Sequence, residues 1–257
     1  MEEIKPKQVK VVVSATDYYL THILPFLESL HNLFNYEDDP DNFGEQPPVK
    51  YEFNVVIITN KDNELFNSQL EFELDEIVVQ YYKYNIKQIT IEYCPNFPWP
   101  VLTLYKPFLL SKYIDINNDF DNDDYAMCCN VNLQFEKNNQ NWFDENKINV
   151  SWHHTHADNN HPYYIQGGFV FGQAEKMKEL CELWQNRINY YINHDHIVPV
   201  WHDETVLNEL FNNEKYHELF HPTFVFKYEG QDKNKIMPDA FAELNVSKVK
   251  PEFKINY

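Results

Sequence analysis

Apolar positions along this chain fall into short β-branched runs, separated by stretches in which they recur every third or fourth residue. Val9 to Ala15 reads as a strand. Thr16-Asp17 then precedes Tyr18 to Phe34, where Leu20, Ile23, Leu24, Leu27, Leu30 and Leu33 keep helical spacing. A polar stretch rich in Asp, Asn and Pro, residues 36 to 48, leads to a second apolar run, Tyr51 to Thr59, which ends in the polar loop Thr59-Asn60-Lys61-Asp62. Glu76 to Tyr82, Gln88 to Tyr93 and Tyr125 to Asn130 are further predicted strands, and Leu104 to Ile114 is a predicted helix. Farther on, Met177, Leu180, Leu183, Trp184, Ile188 and Tyr191 line one face of an amphipathic helix over Lys176 to Tyr191. The alternation predicts a layered α/β fold. No internal repeat or linker interrupts residues 9 to 226, so one domain is expected over 1–257, with its core at about 9–226 and a C-terminal extension at 227–257.

Composition narrows the function. Lys plus Arg number 21 against 40 Asp plus Glu, a formal charge of −19 that argues against wrapping nucleic acid. No run of about 18 apolar residues is present, and the N-terminus Met1-Glu2-Glu3-Ile4-Lys5 is polar and acidic where a signal peptide would be basic and then apolar. The expectation is a soluble, unexported, cytoplasmic protein, in which the Asn-Val-Ser sequons at 149 and 245 carry no meaning. Cys94, Cys128, Cys129 and Cys181 are too few and too irregularly spaced for a disulfide framework, and no C-x-x-C exists for zinc; they read as buried thiols.

In an open α/β sheet, ligands bind beyond the carboxyl ends of the strands, which singles out Ser14 to Tyr18, Thr59-Asn60 and Asn130 to Asn132. Three further patterns stand out. The chain has five glycines, yet Gly167, Gly168 and Gly172 fall together in Tyr163-Tyr164-Ile165-Gln166-Gly167-Gly168-Phe169-Val170-Phe171-Gly172, either a wall against which a flat ligand lies or a bulge where strands cross. Trp201-His202-Asp203-Glu204 opens the apolar-periodic stretch Val206, Leu207, Leu210, Phe211; Asp203 is a credible helix N-cap, while the tetrad joins a stacking surface, a proton carrier and two carboxylates. Asn130-Val131-Asn132 closes an apolar strand where sugar-nucleotide enzymes usually carry Asp-x-Asp. Two amides are poor sole anchors for Mg²⁺ or Mn²⁺ but good partners for sugar hydroxyls or a phosphate oxygen; the alternative is simply two asparagines ending a strand.

Taken in order, these elements resemble family 6 of the glycosyltransferases, the retaining enzymes that include the ABO blood-group transferases and α-1,3-galactosyltransferase. The resemblance runs from about residue 9 to 226 and is most specific at the tetrad 201–204, the double Tyr with its glycine-rich strand at 163–172, and the Asn-x-Asn at 130–132. It implies a single Rossmann-like domain of the GT-A type, with a mixed, mostly parallel sheet and flanking helices, and a hexosyltransferase that moves galactose or N-acetylgalactosamine from a UDP-sugar to a glycan or glycoconjugate hydroxyl with retention. Animal members carry Asp-x-Asp and use Mn²⁺, whereas bacterial members look like this chain and are metal-independent, so no metal or cofactor is expected. Glu204, with Asp203, is the implied catalytic group. Donor contacts are implied for Ser14, Ala15, Tyr18, Lys106 (ending Trp99-Pro100-Val101-Leu102-Thr103-Leu104-Tyr105-Lys106, with lysine in place of the family's arginine), Asn130, Asn132, Gly167 and Gly168. Lys248 and Lys250 of the C-terminal Lys-x-Lys-Pro join them. Acceptor contacts are implied for His153, Trp201, His202 and Glu204. The segment after Ser151-Trp152-His153-His154 is much shorter than the family's, so acceptor identity does not carry over. Animal relatives are membrane-anchored in the Golgi; with no anchor seen, a bacterial or viral cytosolic setting is expected.

Two other readings compete: a retaining transferase for glucose or N-acetylglucosamine, and a sugar-nucleotide-binding protein that has lost turnover, suggested by the missing Asp-x-Asp. His153, His154, His156 and His161 as a metal cluster, and Asp121, Asp123 and Asp124 as a calcium loop, lack regular ligand spacing and read as solvated loops.

Overall fold

The structure, a computed structural model, describes residues 5–15, 17–34, 51–59, 85–94, 101–116, 124–135, 143–152, 165–199, 202–225 and 246–248. Among them lie nine strands: β1 (Lys7–Ser14), β2 (Tyr51–Thr59), β3 (Ile86–Tyr93), β4 (Tyr125–Asn130), β5 (Leu133–Phe135), β6 (Ile148–Trp152), β7 (Ile165–Gln173), β8 (Phe220–Val225) and β9 (Val246–Lys248). Five α-helices accompany them: α1 (Ile23–Ser29), α2 (Val101–Leu104), α3 (Lys106–Ile116), α4 (Ala174–Tyr190) and α5 (His202–Phe211).

Strands rich in β-branched residues and buried on both faces belong in the middle of a covered sheet, and β1 is the clearest case. Val9, Val11 and Val13 enter one apolar core with α1, whereas Val12 enters a second with α3, α4 and α5; all four are fully buried. The seven-stranded sheet has the order β3-β2-β1-β4-β7-β6-β8. β1 pairs in parallel with both β2 and β4, β2 with β3, and β6 with β8; β7 alone runs antiparallel to its neighbours. The fold is α/β, a mostly parallel mixed sheet with helices on both faces, compatible with a Rossmann-like domain. The chain leaves β1 toward β2 and β3 on one side and returns as β4 on the other. Ser14 and Asn130, register partners at the ends of β1 and β4, therefore flank a topological switch point. Because β7 runs the other way, its amino-terminal end shares that rim: Cys129 lies opposite Phe169, and Gly167 is two residues farther out.

The helical span expected over Tyr18 to Phe34 is occupied differently. A 3₁₀ turn covers Asp17–His22, the α-helix starts only at Ile23, and a second 3₁₀ turn covers Leu30–Phe34. Pro25 is the reason: it has no N–H to donate to residue 21, so the helix begins where that missing donor falls in an unpaired first turn. Pro107 acts likewise on the helix expected from Leu104 to Ile114. It is split at Tyr105, whose carbonyl accepts from the Phe108 and Leu109 N–H groups at 3.1 and 3.2 Å. The amphipathic helix expected from Lys176 begins at Ala174 and ends at Tyr190, then widens into a π-helical turn, Tyr191–Asp195, closed by left-handed His196 at φ 55°. The predicted strand Glu76 to Tyr82 lies outside the described residues. Cys128 and Cys129 enter opposite cores, as alternation along a strand requires, and all four cysteines are buried and outside any disulfide. No helix among the described residues is long and apolar enough to cross a membrane.

Candidate functional site

The break at Tyr105 makes Lys106 the first residue of α3, where a cation is disfavoured by the helix dipole. Its side chain is nonetheless 1 % exposed. Nζ donates to Asn130 Oδ1 at 2.9 Å, to Asp203 Oδ2 at 3.0 Å and to the Gly167 carbonyl at 3.5 Å. An ammonium has three protons, and here three acceptors from β4, α5 and β7 match them. Burial alone would push the Lys106 ammonium down, but the charge and hydrogen bond of Asp203 outweigh it, so Lys106 is held above its ordinary value and stays charged.

Asp203 and Glu204 occupy the first turn of α5, where carboxylates are favoured by the helix N-terminus. The expected N-cap role for Asp203 is not what the structure shows. The helix already includes His202, and the Asp203 carboxylate turns to the buried ammonium instead of capping. His202 is left-handed at φ 52°, a conformation rare outside glycine, and its N–H donates to the Pro199 carbonyl at 3.0 Å. Desolvation lowers the His202 imidazole below its ordinary value, against the pull of Asp203 and with the push of Lys106. It is therefore neutral at pH 7 and able to both donate and accept.

The glycine question is answered at Gly167. A Cβ built there would lie 2.8 Å from Glu204 Cγ and 2.9 Å from Asp203 Oδ2, so the two acidic side chains lie against bare backbone. The β6–β7 register also shifts between Val150 and Ser151, so the bulge reading and the close-approach reading both apply to this strand. Gly167→Ala must displace both carboxylates. It is expected to cost roughly 1–3 kcal/mol of stability. Thermal melts check this, and an alanine variant with a native melting temperature would refute the close approach.

Asn208 escaped the sequence reading. Its Oδ1 accepts the Ile165 N–H at 2.7 Å, and its Nδ2 donates to the Ile165 carbonyl at 2.7 Å and to the Glu204 carbonyl at 2.8 Å. The available signal was a polar residue between Leu207 and Leu210 on the apolar face of a predicted helix, four positions after Glu204.

Of the other predicted residues, Ser14 ends β1, and Ala15 is fully buried with its N–H on the Ile58 carbonyl at 2.8 Å. Asn132 stands in the turn from β4 to β5. β5 pairs with β9 so that Leu133 lies opposite Lys248, which brings the backbone of the C-terminal segment beside the Asn-x-Asn turn. Tyr18 belongs to the first 3₁₀ turn, and Gly168 is buried in β7. His153, His154, His156, His161, Trp201, Lys250, Asp121 and Asp123 lie outside the described residues. Asp124 ties two segments together, because its Oδ1 accepts the Gln8 N–H at 2.8 Å and its carbonyl accepts the Ala174 N–H.

A pH prediction follows from three imidazoles. His22, His202 and His221 are each lowered below 6.5, chiefly by desolvation. The unfolded chain then takes up these protons at a higher pH than the folded one. Their effect is absent above about 6.5, and stability is lost as pH falls from there through the folded values. Thermal melts should drop over that range, and His22→Gln, His202→Gln and His221→Gln should each flatten the decline.

No known protein-family model matches this chain, and neither does any curated protein.

Proposed function

We propose that this chain is a retaining glycosyltransferase of the GT-A type, moving galactose or N-acetylgalactosamine from a UDP-sugar to a glycan hydroxyl without a divalent metal. One observation carries the reading. Residues from five separate segments converge at the switch-point rim: the Lys106 ammonium links Asn130, Gly167 and Asp203, Glu204 lies against Gly167, and Ser14 is the register partner of Asn130.

In this reading Glu204 faces the anomeric carbon, either attacking it or stabilising the positive charge of an oxocarbenium-like transition state. Asp203, fixed by Lys106, holds its neighbour in place. Neutral His202 meets an acceptor hydroxyl. With the three Lys106 protons engaged inside the protein, Lys106 orders Asn130 and Asp203, and charge on the departing diphosphate falls to Lys248 and Lys250 of the C-terminal segment. The β5–β9 ladder supports that assignment for Lys248.

Asn130 supports metal independence, because its Oδ1 already receives an ammonium proton. Turnover is expected to persist in excess EDTA. Abolition by EDTA with recovery on Mn²⁺ would overturn that part of the proposal. The test of the whole is donor hydrolysis and transfer across a panel of UDP- and GDP-sugars. Selective turnover of UDP-galactose or UDP-N-acetylgalactosamine is expected, turnover of UDP-glucose or UDP-N-acetylglucosamine would change the sugar, and UDP binding without turnover of any donor would leave a binding protein.

A further inference from the structure

Glu204 and Asp203 lie against Gly167 with no slack, so whatever sets the distance between α5 and β7 sets the position of both carboxylates. Lys106 ties the Asp203 carboxylate and the Gly167 carbonyl to one ammonium, but it does not hold the backbone of the Glu204 turn, and the first turn of a helix frays unless tied down. The apolar residues of α5, Val206, Leu207, Leu210 and Phe211, hold it against the second core, but apolar packing does not fix a helix along its axis as hydrogen bonds do. Asn208 supplies the missing constraint. Its amide pairs with both backbone groups of Ile165, as a neighbouring strand would, two residues before Gly167. The same Nδ2 also holds the carbonyl of Glu204 itself. The orientation of the amide is unambiguous, because the Ile165 N–H requires an oxygen and the two carbonyls require the NH₂. Asn208 is 9 % exposed, and both of its bonds to Ile165 are buried.

We propose that Asn208 is a positioning residue, locking the Glu204 turn of α5 to the strand that carries Gly167, and so setting the carboxylates for the transfer reaction. The proposal rests on the glycosyltransferase reading, and it makes Asn208 matter for turnover rather than for substrate affinity.

The informative variant is Asn208→Asp. It keeps shape and can still accept the Ile165 N–H, but its ionised oxygens face two carbonyls and can donate to neither. Burial raises such a carboxyl, and once protonated its O–H can donate again. Among the described residues, the charged and titratable groups around the junction are Glu204, Asp203, His202 and Glu209 on α5, Lys106 on α3, Arg187 on α4 and Cys128 on β4. All of them are present in the unsubstituted protein, so the ratio of the two kcat profiles removes their contribution. The expected result is kcat for donor turnover at least tenfold below the unsubstituted protein at pH 8, recovering several-fold toward it by pH 5.5, with KM for the donor within about twofold throughout.

Two companions separate positioning from general stability. Arg187→Met cuts the tie between α4 and Glu209 at the far end of α5 and should keep kcat within about twofold, whatever it does to the melting temperature. Asn208→Ala, which carries no charge, should lose kcat at every pH without recovery and serves if the aspartate variant does not fold. An active unsubstituted protein with a flat Asn208→Asp ratio, or with Arg187→Met losing as much kcat as Asn208→Asp, overturns the positioning role alone. An unsubstituted protein that turns over no donor at any pH overturns the glycosyltransferase reading, and the positioning role with it.

Discussion

Glu204→Gln is expected to leave the protein folded, with a near-native melting temperature and intact UDP binding, and to lower both transfer and donor hydrolysis by at least about two orders of magnitude, or roughly 3 kcal/mol of transition-state stabilisation. Glutamine keeps the shape of the side chain that fits against Gly167, so the close approach survives the substitution. What it removes is negative charge, which an oxocarbenium-like centre requires. A carboxylate whose only role is to favour the first turn of a helix contributes about 0.3–1 kcal/mol of stability. In that case the glutamine variant would melt slightly lower and turn over normally. Turnover and melting temperature, measured on the same preparation, discriminate between the two, and full activity would sink the proposed mechanism.

Lys106→Met should be the most destabilising substitution in the site. It leaves the Asp203 carboxylate, 8 % exposed, without the ammonium 3.0 Å away. Breaking a buried ion pair from one side costs about 3–5 kcal/mol, because the remaining charge has lost its compensation. For a chain of this size that corresponds to a fall of roughly 6–20 °C in melting temperature. Turnover should fall as well, since Asn130 and Asp203 lose their common partner. The double variant Lys106→Met/Asp203→Leu should regain much of the lost stability but none of the activity. If the single and double variants melt alike, the pair is not buried as described. Because Lys106 is raised above its ordinary 10.5, its contribution is fully present below that value and is lost only as pH rises through the folded one. The effect should therefore be the same at pH 7 and pH 9.

Strands were the most legible part of the fold. Val9 to Ala15, Tyr51 to Thr59 and Tyr125 to Asn130 are apolar runs bounded by polar residues, and the structure reproduces each to within two residues. Helix boundaries were less so, because periodicity reports which face is apolar and ignores a missing N–H. Pro25 and Pro107 therefore shifted two helices whose apolar stripes were read correctly. Of the residues the motifs singled out, the structure brings Lys106, Asn130, Gly167, Asp203 and Glu204 together, a set of contacts that no motif specifies. The family resemblance implied a donor contact for Lys106, yet its three partners inside the protein lie in β4, β7 and α5, far away along the chain. Asn208 stayed invisible because an amide in an apolar stripe reads as noise until the backbone groups it satisfies are known.

The Lys106–Asp203 contact joins residues 97 positions apart, and the Asn208–Ile165 contact joins residues 43 apart. These two ties are therefore not assembled by local chain order. Contacts of such separation form late, after the entropy of closing the intervening loops has been lost, and they slow folding in proportion. A partly folded chain, even one with β1, β2 and β4 already paired, holds Asp203 and Lys106 apart, so it has no residual fraction of the site. The proposed activity should consequently be a sensitive reporter of the last stage of folding, appearing only when α5 has docked on β7 and Lys106.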